Sequence, residues 1–447
     1  MLILEVWKRL LDLLTRRYVY PVLLLGLSIV LVGCPAFVNQ APISIVEATP
    51  QQGEAPLNVQ FDGSHSFDAD GTIILYEWDF DDGSPEVAGQ SPSHKFASDG
   101  TYHVLLTVTD NFGSKNTGSL VIKVSESKVY FSSDRTGNTE IFVMDLNGGN
   151  QSQVTSNVNR DIFPSLVPNT RDRLAFASDR TTPPFFDIFS ANTDGSLPSN
   201  LTNQTNHYSI EPSWSPDGEF LAYTTNRIGG NFEIFIAAKD GTLLTGGNPI
   251  ISEAPNWALA PAWKPVFVSK TATSETHQLT YVRYNTGTTD SDLILVQFTI
   301  DLTTTPPSIT TVSTTNLLVD AANKDGSIGG SSFGIAGLPG SSRLSWKPDG
   351  TRLAFTRQVA PGNLDVFTIA SNGTLLKNIN AECFSGNASQ AGTNEFDPFW
   401  IENDDIAFVS DRTGSDQIFK VDCSVGTGLV TQLTTLGTEN VHPAGQK

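Results

Sequence analysis

The sequence predicts an all-β chain, a β-sandwich followed by a ring of six four-stranded units. Three observations predict it. Short apolar-alternating runs separated by turn residues fill residues 42–125, and no helical periodicity competes there. From Lys128 onward a phrase recurs: Glu211-Pro-Ser-Trp-Ser-Pro-Asp-Gly218 followed by Phe220-Leu-Ala-Tyr223 is echoed by Lys347-Pro-Asp-Gly350 and Leu353-Ala-Phe355. Finally, 447 residues with 39% hydrophobic content and 26 Phe can fill more than one core.

The N-terminus comes first. Lys8, Arg9, Arg16 and Arg17 form a basic stretch, and Tyr18 to Val32 is apolar apart from Pro21, Gly26 and Ser28. That core is short for a membrane span and suits a signal peptide over residues 1–33. It ends in Leu31-Val-Gly-Cys34, which resembles a bacterial lipobox. The resemblance implies a lipid on Cys34, a linker over residues 34–41 and a membrane anchor. Pro35 after the cysteine favours the outer membrane, facing periplasm or cell surface. In such an oxidising compartment Cys383 and Cys423 either form a disulfide or stay as two buried thiols. The net charge of −20, from 47 acidic and 27 basic residues, argues against nucleic acid as a partner.

Residues 42–125 hold the sandwich. Its expected strands are Ile43 to Val46, Leu57 to Phe61, Ile73 to Phe80, His103 to Thr109 and Ser119 to Val124. Trp78 and Phe80 alternate with Glu77, Asp79 and Asp81, so both rings are expected in the core, with Tyr102 nearby. The motifs Asp62-Gly-Ser-His-Ser-Phe-Asp-Ala-Asp-Gly71, Tyr76-Glu-Trp-Asp-Phe-Asp-Asp-Gly83 and Gly100-Thr-Tyr-His-Val104 resemble the PKD domain, an immunoglobulin-like module. That resemblance implies a spacer or a ligand-binding role. Asp68, Asp70, Asp79 and Asp81 are calcium candidates, although turn capping explains the same residues without a metal.

Residues 126–447 hold the repeats. Each unit has an opening strand carrying Pro or Trp, an apolar second strand, a third strand of the Glu-Ile-Phe type and a weaker fourth. Six such units make a six-bladed β-propeller. The first unit lacks an opening strand, and Asn440-Val-His-Pro-Ala444 has the character to supply it and close the ring. The Pro-x-Trp-Ser-Pro-Asp-Gly phrase resembles TolB and its relatives, fraying in unit four, where residues 301–340 read as a long polar insertion. TolB carries an α/β domain ahead of its propeller; the immunoglobulin-like unit stands there in this chain, so a Tol–Pal role does not carry over.

Asp134-Arg135, Asp179-Arg180, Asn226-Arg227 and Asp411-Arg412 each follow a second strand and fall on one rim. Their guanidinium forks either bind a peptide or anionic ligand or tie the repeat together. Residues on that rim that break the repeat are further binding candidates: Arg160, His207, Tyr208, Trp257 and Phe396. Gly330-Ser-Ser-Phe-Gly334 spells a hydrolase elbow but lacks the strand-turn-helix context. The six His are scattered, and no metal or cofactor is expected. The reading is a non-catalytic cell-envelope lipoprotein whose propeller rim binds a protein or peptide. The alternatives are a polysaccharide-binding surface protein and a propeller-type enzyme such as a lyase. The Trp-Ser-Pro-Asp-Gly turn reads as scaffold on the rim opposite the Asp-Arg loops.

Overall fold

The computed structural model describes residues 38–445 except 56, 126, 169–171, 245, 288–290, 319–342, 361, 380–392, 402–404 and 423–429. The signal peptide, Cys34, Cys383, Cys423, Gly330 to Gly334 and most of the 301–340 insertion therefore lie outside the described residues. No helix among the described residues is long and apolar enough to cross a membrane. The chain divides into two compact units at Ser125 and Glu126.

The first unit is two sheets packed face to face. One runs Glu47–Thr49, Leu57–Asp62, Ser93–Phe96; the other runs Gln52–Glu54, Lys115–Ser125, Gly100–Asp110, Ile73–Asp79, Val87–Ala88. Trp78 and Phe80 are fully buried, as their alternation with acidic residues requires. Phe61 lies 5.2 Å from Trp78, and the Trp78 indole N–H donates to Gly89 O at 2.8 Å, so a large ring is buried without an orphaned donor. Tyr102 packs 4.5 Å from Phe96. The run Ile43 to Val46 departs from expectation. Ile43 makes only a bridge to Phe67, and the strand begins at Glu47. Side chains take over the local hydrogen bonding there: Ser44 donates to Leu106 O, and Ile45 N donates to Ser66 Oγ.

The second unit contains six antiparallel sheets, one per blade. Blade two shows the pattern: inner strand Asp161–Leu166, second strand Arg173–Thr182, third strand Phe185–Asn192, outer strand Ser199–Asn200. Blade one is completed by the chain's far end, because Asn440–Gly445 pairs with Lys128–Ser133 as its inner strand. No raw edge is left where the ring begins. Blade three has three strands: Pro249 has no N–H to give a ladder, and Ile251 makes only a bridge to Ile234. Blade four is the long one, with Ser274–Tyr284, Ser291–Asp301 and Ser308–Leu318 in register over most of their length. Part of the expected insertion is thus strand. The Ser215-Pro-Asp-Gly218 turn is closed by Gly218 N donating to Ser215 O at 3.0 Å. Gly218 has φ +72, and a Cβ there would meet Val167 Cγ1 at 2.3 Å, so only glycine fits.

Candidate functional site

Antiparallel pairing decides which residues share a face. Ser209, which starts the inner strand of blade three (Ser209–Trp214), pairs with Thr225, which ends the second strand (Phe220–Thr225); Trp214 pairs with Leu221 at the other end. The loops after the second strands and the segments leading into the inner strands therefore lie together. The Ser-Pro-Asp-Gly turns lie at the opposite end.

The repeated Asp-Arg and Asn-Arg pairs are clips inside blades one, two, three and six. Asp179 accepts from Arg160 N at 2.7 Å and Arg160 Nε at 3.0 Å. Asn226 accepts from Tyr208 N at 2.8 Å, and Asp411 from Asn394 N at 2.7 Å. Asp134 accepts from Thr438 N and Glu439 N across the closure of the ring. In every case the acceptor holds the segment leading into the inner strand. The arginine then holds the start of that strand. Arg180 donates to Ser178 Oγ at 2.8 Å and to Asp161 Oδ2 at 2.7 Å, with its guanidinium 4.7 Å from the Phe189 ring. Arg412 donates to Ser410 Oγ and Glu395 Oε1 over Phe419. Arg135 donates to Ser133 Oγ, Gln151 Oε1 and Asn440 Oδ1 over Phe142. Arg227 lies over Phe235.

These geometries correct the binding-rim reading of Arg135, Arg180 and Arg412. Their donors and ring faces are committed to their own blades. Arg160 is likewise paired with Asp179 and stacked 4.8 Å over Phe186. Phe396 is also corrected: it is 5% exposed and packs in the core, because its place in the pleat points it between blades. His207 is half-buried beside Tyr208.

Tyr208 and Trp257 behave differently. Both are half-buried, and they anchor an aromatic arc over blades two to four. Phe185 lies 5.0 Å from Tyr208, Phe232 5.2 Å from Trp257, and Trp257 5.8 Å from Tyr284, with Tyr208 and Phe232 6.5 Å apart. Phe185, Phe232 and Tyr284 escape sequence reasoning because they lie just outside the strand runs legible in the sequence. The one available signal is that each sits where a strand begins or ends at the Asp-Arg end. On the other side of the same face, blades six and one bring acids together. Asp416 bridges Glu439, and burial followed by the Glu439 and Asp411 charges pushes the Asp416 carboxyl up to about 6. Burial, then Asp134, also raises Glu439.

In the first unit the calcium candidates split. Asp79 and Asp81 serve turns and strand ends: Asp81 N donates to Asp79 Oδ1, and His103 N to Asp81 Oδ2. Asp68 and Asp70 lie instead beside the segment entering the domain. Gln40 N donates to the Asp70 carboxylate, and Asn39 Nδ2 donates to Asp110 Oδ2 at 2.6 Å. Asn39 Oδ1 and Asp68 Oδ2 are buried without a hydrogen-bond partner among the described residues. All-oxygen donors of this kind fit a hard cation. A second group, Glu47, Asp62 and His65, places one ligand atom each within 4.8 Å of the others, at the surface.

Comparison with known proteins follows this division. Residues 39–124 match the PKD domain, and residues 114–302 match the TolB beta propeller domain. The chain is a PKD domain followed by a TolB-type β-propeller. Among curated proteins, collagenase ColA of Clostridium perfringens is 39% identical over 112 residues, 25% of this chain and 10% of that protein. Microbial collagenase of Vibrio alginolyticus is 33% identical over 87 residues, 20% of this chain and 10% of that protein. The chain thus spans about a tenth of the length of these relatives. Among solved structures, TolB from Acinetobacter baumannii aligns over 78% of this chain and 80% of its own at 13% identity and TM-score 0.47. One expectation is corrected by these matches. The sequence reading sets the chain apart from enzymes, yet its curated relatives are collagenases, matched through the PKD region. A module of this kind occurs within enzymes, and a missing catalytic constellation in one chain does not separate it from them.

Proposed function

We propose that this is a lipid-anchored protein of the cell envelope whose propeller binds a protein or peptide on the face where the inner strands begin. The PKD domain acts as spacer or second binding module. The observation that supports this most is the aromatic arc through Tyr208, Phe232, Trp257 and Tyr284, which breaks the repeat and stays partly open on one face. Aromatic anchors of this kind carry much of the energy of protein interfaces. The acids of blades six and one add complementarity for a segment bearing basic side chains. The half-exposed pair Trp257 and Tyr284 also favours a second reading, stacking on a glycan.

The test is capture from native envelope fractions with the wild-type protein and with Tyr208→Ala/Trp257→Ala, each anchored through Cys34 and compared with a Cys34→Ser form. Discrete protein partners that are lost in the double variant support the peptide reading. Glycan recovered alone supports the second. Capture unchanged by the double variant removes both.

A further inference from the structure

The propeller axis holds a cavity of about 90 Å³ away from the aromatic face. All six blades line it, through the second halves of their inner strands and the turns that follow. Its collar is apolar, built from Pro212, Pro261, Leu344, Pro398 and Pro443. In four blades the residue before the collar proline has positive φ: Glu211 +56, Ala260 +51, Asp397 +50 and His442 +52. The inner strands break register there. Non-glycine residues rarely hold this conformation without support. Neighbouring blades give it. Ala260 N donates to Glu211 Oε2 at 2.7 Å, Arg343 N to Asp397 Oδ1 at 3.1 Å and His442 N to Asp397 Oδ2 at 3.3 Å. Both carboxylates are thus spent on the backbone of adjacent inner strands.

Arg343 occupies the corresponding place in blade five, where Arg343-Leu-Ser-Trp346 matches Glu211-Pro-Ser-Trp214. It lines the cavity. Its backbone N–H is satisfied by Asp397, but its guanidinium makes no ion pair and no hydrogen bond with any described residue. Burial pulls its pKa down to about 10, against the opposing charges of Asp397 and Glu211. The side chain is half-buried, and a guanidinium partly withdrawn from water without contact partners is costly, so an incoming anion would recover part of that cost.

We propose that this cavity binds a carboxylate carried on a short apolar stem, with the Arg343 fork taking the carboxylate and the proline collar holding the stem. A guanidinium presents two parallel N–H donors that match a carboxylate. The cavity is small and its collar apolar, so the stem it holds is short. The nearby carboxylates of Glu211 and Asp397 select a monoanion over a phosphate dianion. Two sources carry the same chemistry, the C-terminal residue of a peptide and a free short-chain acid. The site is separate from the aromatic face and does not depend on its partner.

Calorimetric titration of the full chain tests this with three probes: a hexapeptide ending in Pro-Leu with a free carboxylate, its C-terminal amide, and butyrate. The free-carboxylate peptide, butyrate or both should bind, and which of them binds identifies the source. The amide should bind at least roughly tenfold more weakly than the free acid, since a charge-assisted hydrogen bond is lost. Arg343→Gln should weaken the carboxylate probes by about ten- to hundredfold. Should Arg343→Gln fail to fold, Leu344→Trp fills the collar with Arg343 retained, and it should block binding equally. The proposal is overturned by no binding of either carboxylate probe at millimolar concentration, by equal binding of acid and amide, or by binding that survives both substitutions.

Discussion

Arg180→Met separates a clip from a ligand ring. In the wild-type chain Arg180 donates to Asp161 Oδ2 at 2.7 Å, and the Asp161 side chain is 0% exposed while Arg180 is 21% exposed. Removing the arginine strands a buried carboxylate. Breaking a buried pair from one side costs about 3–5 kcal/mol, against 0–1 kcal/mol for a surface pair. Asp161 retains one other bond, from Asn157 Nδ2 at 2.8 Å, which points to the lower part of that range, about 3 kcal/mol. For a unit of this size each kcal/mol moves Tm by about 2 °C, so the propeller transition should fall by about 6 °C. The assay is thermal unfolding by circular dichroism at neutral pH. Arg180→Met/Asp161→Leu should recover part of the loss, because the stranded charge is then gone. A Tm shift under about 1 °C for the single variant would place Arg180 among exposed pairs and refute the clip.

Three further outcomes follow from the same geometry. Deleting residues 440–447 removes the inner strand of blade one, which pairs with Lys128–Ser133, and should abolish the cooperative propeller transition in calorimetry; an unchanged transition would mean that the ring closes without it. Burial lowers the His277 pKa to about 4 from 6.5, so stability supplied by the neutral ring is present above the unfolded value and lost as pH falls from 6.5 through 4, up to about 3 kcal/mol. Asp397, raised by burial to about 7, runs the other way, with stability present below its unfolded value and lost as pH rises through 7. His277→Gln should therefore flatten the acid limb of a Tm-against-pH curve and leave the neutral limb. Calcium at 100 times its Kd should stabilise the PKD transition by about 2.7 kcal/mol, an effect absent in Asp68→Ala and present in Asp79→Ala.

Much of the fold is legible in the sequence because local rules and tertiary packing agree over long stretches. The Ser215-Pro-Asp-Gly218 turn, the Phe220–Thr225 strand and the buried pair Trp78 and Phe80 follow from turn chemistry and period-two alternation. Where polar side chains or proline compete with the ladder, the reading slips, as at Ile43 to Val46 and at Pro249. The site is legible only in part. Tyr208 and Trp257 stand out as breaks in a repeat. Phe232 and Tyr284 do not, because an aromatic at a strand end serves core and surface equally well. The burial of Phe396 is not legible either, since it depends on which way one pleat faces.

The repeat itself explains where specificity can reside. Every blade must hold the start of its inner strand, so the Asp-Arg phrase recurs and its charges are used internally. In four blades the residue leading into that strand is held through its backbone N–H, which any side chain can supply, so its identity varies: Arg160, Tyr208, Asn394 and Glu439 fill this position, and Trp257 fills it in blade four. The same holds at the axis, where Phe163, Glu211, Ala260, Arg343, Asp397 and His442 occupy equivalent places. Four of these settle within the scaffold: Glu211 and Asp397 cap a neighbour's N–H, and the Phe163 ring packs 4.0 Å from that of His442. Ala260 offers only a methyl group. Arg343 alone brings a guanidinium that the scaffold leaves without a contact partner, at a position where the fold would accept an alanine. A substitution that the repeat does not need, and that carries a cost in burial, is the pattern expected of a residue kept for a ligand.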